Sequence, residues 1–203
     1  GFAWAIGRLW LKVPDTIRVE LQGAFAPGVH AKDLMLHLIA ELGVLGAVYE
    51  VLEYGGPAVA ALSPSERFTL CNMSAEVGAK TAVVPFDSVT EDFLRGRAQF
   101  DYEPVLPDRD AAYSRVVTVD LGTLQPMVTL PGREDRGVPV GEAAGRAIQQ
   151  VFIGSCTNAR EDDLAIAARI LRGRRVHDGV RLIVVPASRA VMAETARAGD
   201  VAA

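Results

Sequence analysis

"VFIGSCTNAREDDLAIAARI", residues 151–170, sets a short apolar run, Val151 to Gly154, against a helical pattern under way by Asp162, with Cys156 in the turn between them. "VRLIVVP" (180–186) followed by "SRAVMAETARAG" (188–199) repeats the order. Two apolar runs, each followed by a helical period, make a βαβα unit, and strands joined through helices run parallel. The fold class is therefore α/β with mainly parallel sheets. Open sheets of this kind take ligands at the carboxyl ends of their strands, which is where Cys156 falls. A helix amino terminus nearby brings unpaired N–H groups and partial positive charge, which favour a thiolate. Ser155, Thr157 and Asn158 add short polar groups able to hydrogen-bond a sulfur or an anion. On spacing alone, however, a lone cysteine is more often a small buried hydrophobe than a ligand or a nucleophile.

Upstream, "TIRVEL" (16–21), "AVYEVLEY" (47–54), "KTAVVPF" (80–86) and "RVVTVDL" (115–121) read as strands, and "AKDLMLHLIAELG" (31–43) as a helix ending at Gly43. "SPSERFTLCNMSAEVGA" (63–79) predicts a further helix: Ser63 as cap, Pro64 in the first turn, Glu66 closing a capping box and Gly78 at the end. "SVTEDFLRGR" (88–97) predicts a short one. On the 63–79 helix Asn72 and Glu76 stand four apart on one face, beside an apolar stripe of Leu70, Met73 and Val77. Such a pair can reach a cleft, although it is more often a solvated face, and Cys71 reads as packing. The proline-bearing stretches 98–114 and 125–146 read as surface excursions. Three parts result: 1–100, an α/β region; 101–147, a linking excursion with one strand; and 148–203, the βαβα unit.

Half of the 203 residues are hydrophobic, and 21 Lys and Arg against 25 Asp and Glu leave a net charge of −4, so no general basic field points to nucleic acid. No apolar run has the ~18 residues of a membrane span, and the opening lacks the pattern of a signal peptide, so a cytoplasmic protein is expected. Cys71 and Cys156 fit no CxxC or Cys/His pattern. By themselves they hold neither zinc nor an iron–sulfur cluster, which need three or four protein ligands. His30, His37 and His177 fall outside the motifs, which argues against a thiol enzyme built on Cys156.

"FIGSCTN" with the acidic pair after it, and "TLCNMSAEVGAK", resemble the aconitase superfamily. Within it the chain is most similar to large subunits of isopropylmalate dehydratases and their homoaconitase relatives. "LWLKVPDTIRVELQG", "PGVHAKDLMLHLI", "VLEYGG" and "LIVVPASR" extend the resemblance over nearly the whole chain. It implies α/β/α layers and a hydro-lyase that shifts a hydroxyl between neighbouring carbons of a malate-type acid in leucine biosynthesis. It also implies a 4Fe-4S cluster held by three cysteines, Cys156 matching the first. Glu76 and Asn72 match catalytic positions of the cleft, Ser155, Thr157 and Asn158 the cluster loop, and Arg160 an arginine assigned to substrate. Asp162 stands where the family usually has Glu. The family's CxxC and its amino-terminal Asp, Ser and His motif have no match, and a family segment is missing between Gly7 and Arg8. The cluster is thus expected to be absent or incomplete here, with the missing pieces in mobile loops of a longer protein; the rival account is a true fragment, inactive by itself. The implied partner is a small subunit that supplies a serine base and substrate-binding arginines. Homoaconitate or dimethylmalate as substrate, and a cluster-free or RNA-binding relative, are the competing readings; the charge argues against the last.

Overall fold

Ile17, Val19 and Leu21 alternate with Thr16, Arg18 and Glu20, and the first set is fully buried. A slip of one residue would turn all three into solvent, so burial fixes the register. In the computed structural model, which describes residues 1–133 and 135–202, a short exposed helix, α1 (Phe2–Ile6), precedes this strand, β1 (Asp15–Gln22). Next come α2 (Ala31–Leu42), β2 (Glu50–Gly55), α3 (Pro64–Met73), β3 (Thr81–Val83), α4 (Ser88–Leu94) and β4 (Arg115–Asp120). The sheet order is β3-β2-β1-β4, and every pairing is parallel. Leu34, Met35, Leu38 and Ile39 of α2 and Leu70 and Met73 of α3 bury the apolar side of this sheet together with Leu52, Tyr54 and Val117. The strand expected within 101–147 is β4, and it joins this first sheet beside β1.

Local chemistry sets the start of α3. The Ser63 hydroxyl accepts from the Glu66 N–H at 3.2 Å, while the Ser63 N–H donates to Glu66 Oε2 at 2.8 Å. The sequence predicts one helix over 63–79, but the α-helix ends at Met73 and Ser74–Val77 continue as a 3-10 turn that stops at Gly78, φ 87°. Ser74 marks the change: its backbone N–H is shared between the Asn72 and Leu70 carbonyls, and its buried hydroxyl adds a second donor to Leu70 at 2.8 Å while meeting the Tyr54 hydroxyl at 2.9 Å, which tightens the last turn.

The stretch read as a surface wrap contains an antiparallel hairpin, β5 (Met127–Thr129) with β6 (Gly137–Pro139). It packs on α2, where Asp33 accepts from the Met127 N–H at 2.7 Å. Gly137 permits this, because a Cβ there would lie 2.8 Å from the Leu36 carbonyl oxygen. The last unit follows the predicted βαβα order: β7 (Gln150–Ile153), α5 (Glu161–Leu171), β8 (Arg181–Val184) and α6 (Arg189–Ala198). Strands β7 and β8 are parallel, over a small core of Ala159, Leu164 and Val191 with Ile153. Among the described residues no helix is long and apolar enough to cross a membrane.

Candidate active site

Between β7 and α5 the chain makes a tight turn through Ser155–Asn158, and Cys156 sits in it, exposed. Two residues of this loop adopt left-handed backbone without being glycine: Ser155, φ 86°, and Ala159, φ 58° and fully buried. Such conformations cost about 1–3 kcal/mol each and persist only where the surroundings impose them.

Helix α3 is the surroundings. The Asn72 side-chain amide donates to the Cys156 carbonyl at 3.1 Å, so two motifs far apart in sequence meet directly. One turn earlier, the buried Thr69 hydroxyl lies 3.1 Å from the Thr157 carbonyl and 3.2 Å from that of Ser65. Nearer the start of α3, the Ser63 hydroxyl donates to Asp162 Oδ2 at 3.0 Å. The Arg160 guanidinium rests 4.7 Å above the Phe68 ring and donates to the Cys156 carbonyl at 3.5 Å. No described carboxylate pairs with this arginine, and its buried Nε has no partner.

The loop is also knit internally. The Ser155 and Thr157 hydroxyls lie 3.0 Å apart, and the Thr157 N–H donates to Ser155 Oγ at 3.3 Å. The Asn158 amide donates to Asp163 Oδ1 at 3.3 Å, leaving its own Oδ1 buried without a donor. Glu76 stands on the 3-10 turn beyond α3, exposed, with no hydrogen bond or ion pair to any described residue. Because the pitch changes at Ser74, Asn72 and Glu76 are not successive turns of a single α-helical face as the spacing predicts. Thr69 and Phe68, which no sequence motif reading singles out, share the loop-facing side of α3 with Asn72. The one available signal is that Thr69 precedes Asn72 by three, a spacing that places two helical residues side by side.

His37 and His177 lie apart from this cluster, His37 reaching Glu41 at 3.5 Å and His177 Nδ1 accepting from the Gly179 N–H, whereas His30, whose backbone N–H donates to Asp33 at the start of α2, borders the cleft between the helix starts. A cleft of about 810 Å³ opens where the amino termini of α2, α3 and α5 converge, lined by Asp33, Ser63, Glu66, Thr69, Asn158 and Asp163. Cys156, Asn72 and Glu76 do not line it. Asp33, Glu66 and Asp163 are each occupied in capping a helix.

Cys71, half-buried on α3, has its thiol pushed up by burial. Among the described residues no three of His, Cys, Asp and Glu stand together as a metal site.

Residues 2–203 match the model of the aconitase family (aconitate hydratase). The chain is 50% identical over 196 residues to "3-isopropylmalate dehydratase large subunit 1" of Methanopyrus kandleri, covering 97% of this chain and 47% of that protein. It is 47% identical over 189 residues to "Probable methanogen homoaconitase large subunit" of Methanosarcina mazei, covering 93% and 48%. It thus spans about half the length of the curated relatives it matches. The mainly parallel α/β architecture, the juxtaposed Cys156 and Asn72 motifs and the family match over residues 2–203 lead to one conclusion: the chain belongs to the aconitase family.

Proposed function

We propose that this chain is part of the large subunit of a cytoplasmic hydro-lyase of the isopropylmalate dehydratase type, working in leucine biosynthesis with a separate small subunit. The observation that carries the reading is the 3.1 Å bond from Asn72 to the Cys156 carbonyl, which joins the two motifs the resemblance rests on. The names of the relatives, one a 3-isopropylmalate dehydratase large subunit and the other a probable homoaconitase large subunit, support it.

The reaction removes a proton from one carbon and the hydroxyl from its neighbour, then returns water the other way round. Glu76, whose place in the motif carries the assignment, is given the exchange of a proton with the departing hydroxyl oxygen and the adding water. Arg160, a cation without a carboxylate partner beside Cys156, offers a substrate carboxylate its counter-charge. Asn72 orients the loop, and Ser155, Thr157 and Asn158 shape it. The described residues do not by themselves fit the 4Fe-4S cluster the family implies. They present one exposed thiol, Cys156, where three thiolates are needed, and the second cysteine is half-buried. Cys156 is assigned as one ligand, the remainder coming from outside the described residues. The base that takes the carbon-bound proton is assigned to the small subunit.

The test is an assay of the protein co-produced with its small subunit and reconstituted with iron and sulfide, following the unsaturated acid by its ultraviolet absorbance. Isopropylmalate, homoaconitate and dimethylmalate are offered in turn. Turnover of isopropylmalate that falls at least ~100-fold in Glu76→Gln bears out the proposal. Turnover of another acid alone, or of none, overturns it.

A further inference from the structure

The Cys156 loop is strained at both ends, and strain of this kind needs an external hold. Its thiol is exposed and makes no hydrogen bond, so the hold does not act through sulfur. It acts through the main chain. Two successive carbonyls, of Cys156 and Thr157, are met from α3 by Asn72 and Thr69, while Phe68 gives the Arg160 guanidinium a shelf. Thr69 is 4% exposed, and the single proton of its hydroxyl is shared between the Ser65 and Thr157 carbonyls at 3.2 and 3.1 Å. Residues 65, 68, 69 and 72 fall on one side of a helix. That side grips the peptide groups of the loop and makes no bond to the Cys156 thiol.

We propose that Thr69, seconded by Phe68, is a positioning residue that latches the Cys156 loop to α3 through its backbone carbonyls and so fixes the direction in which the thiol is presented. The inference rests on the reading of Cys156 as a ligand of a dehydratase, but the latch itself is a property of the protein without cluster or substrate. Gripping carbonyls suits a loop whose side chains are needed elsewhere: the thiol stays available while the backbone is immobilised. It also makes the geometry of the site depend on contact between the two sheet-bearing units, because Thr69 belongs to one and Thr157 to the other.

The experiment compares the wild type with Thr69→Val, Thr69→Ser and Phe68→Leu by hydrogen exchange and by fluorine resonance of a trifluoromethyl label on Cys156, all without iron or substrate. Valine keeps the shape of threonine and removes its donor, whereas serine keeps the donor. Loss of one hydrogen bond at the latch corresponds to about a 3- to 10-fold rise in loop opening. The expected result is that rise in residues 155–161 for Thr69→Val, with a second or displaced fluorine resonance, β1 and α2 unchanged, and both readouts restored in Thr69→Ser. Should Thr69→Val loosen the whole fold, Phe68→Leu decides the question: Phe68 is 40% exposed, and its loss is expected to loosen the same loop by a smaller factor. Exchange and fluorine signals equal to wild type in both Thr69→Val and Phe68→Leu, or loosening that Thr69→Ser does not reverse, would overturn the latch. A loop that loosens as expected in a protein with no dehydratase activity would leave the latch standing and remove the functional reading.

Discussion

Arg67 anchors the helix that carries Asn72 and Thr69, and breaking its ion pair should cost far more than any surface pair would. Its side chain is 8% exposed, and all five donors of the guanidinium are used. Nη1 and Nη2 meet Asp87 Oδ1 and Oδ2 at 2.6 and 2.7 Å, Nη1 also meets Thr90 Oγ1 at 2.9 Å, Nη2 meets the Val59 carbonyl at 3.0 Å and Nε that of Leu62 at 3.1 Å. The perturbation is Asp87→Asn, which keeps the volume of the side chain and its ability to cap α4 but strands a buried cation. Removing one partner of a buried pair costs about 3–5 kcal/mol. In a chain of this size that is a fall in Tm of roughly 6–20 °C. Replacing both partners, Arg67→Met with Asp87→Asn, abolishes the charge, so the two losses should fall short of additivity by about 2 kcal/mol or more.

The same pair predicts an acid limb. Arg67 holds the Asp87 carboxyl below its usual range by hydrogen bonding. A depressed folded value means that the stabilisation is complete above the unfolded pKa, near pH 4, and drains away as pH falls through the lower folded value. Urea unfolding of the wild type, both single variants and the double variant at neutral pH and across the acid range measures both effects. A cost below about 1 kcal/mol for Asp87→Asn, or single losses that add within ~0.5 kcal/mol, would refute the reasoning.

Gly56→Ala should destabilise more than Gly55→Ala in thermal melts. At Gly56, φ is 88° and a methyl would run into the Leu21 backbone, whereas at Gly55 it meets the movable guanidinium of Arg18 and costs the pairing with Glu20 and Glu53. Brief alkylation followed by peptide mass mapping should find Cys156 modified well before Cys71, because the first is exposed and burial raises the thiol of the second; equal labelling would contradict the placement of the loop. Tyr54→Phe should lower stability by about 1 kcal/mol in denaturant unfolding, since the lost hydroxyl bonds Ser74 while Ser74 keeps the Leu70 carbonyl.

Elements with their own local signals were legible in the sequence. β1 has alternation, α2 has leucines every fourth residue, α3 has a full capping box, and the βαβα order of the last unit follows from hydrophobic period alone. The β5–β6 hairpin was not legible, because three-residue strands are too short to show alternation and Gly137 and Pro139 read as breakers. Nor was the end of α3, which depends on a tertiary partner: Ser74 leaves the α-helical pattern in company with Tyr54 from another strand. In the candidate site the types were readable, a cysteine in a strand-to-helix turn and an Asn on a helix. Their meeting was not, since the Asn72 to Cys156 contact crosses two sheets. Thr69 left only its spacing of three from Asn72, since a threonine within a helix is ordinarily neutral.

The strand order β3-β2-β1-β4 changes direction at β1, so the crevice of this sheet lies between the carboxyl ends of β1 and β4. At its floor the two strands meet closely. Gln22 and Asp120 are neighbours in the ladder, the Asp120 carboxylate accepts from the Gly122 N–H at 2.9 Å, and a methyl on Gly23 would lie 2.5 Å from the same oxygen. A hydrogen-bonded turn thus borders the place where such sheets ordinarily receive small molecules, while the cleft of about 810 Å³ opens elsewhere, at the starts of α2, α3 and α5. The Cys156 loop and α3 meet away from that switch point, so the arrangement of their residues depends on the fit of one sheet-bearing unit against the other rather than on the shape of either.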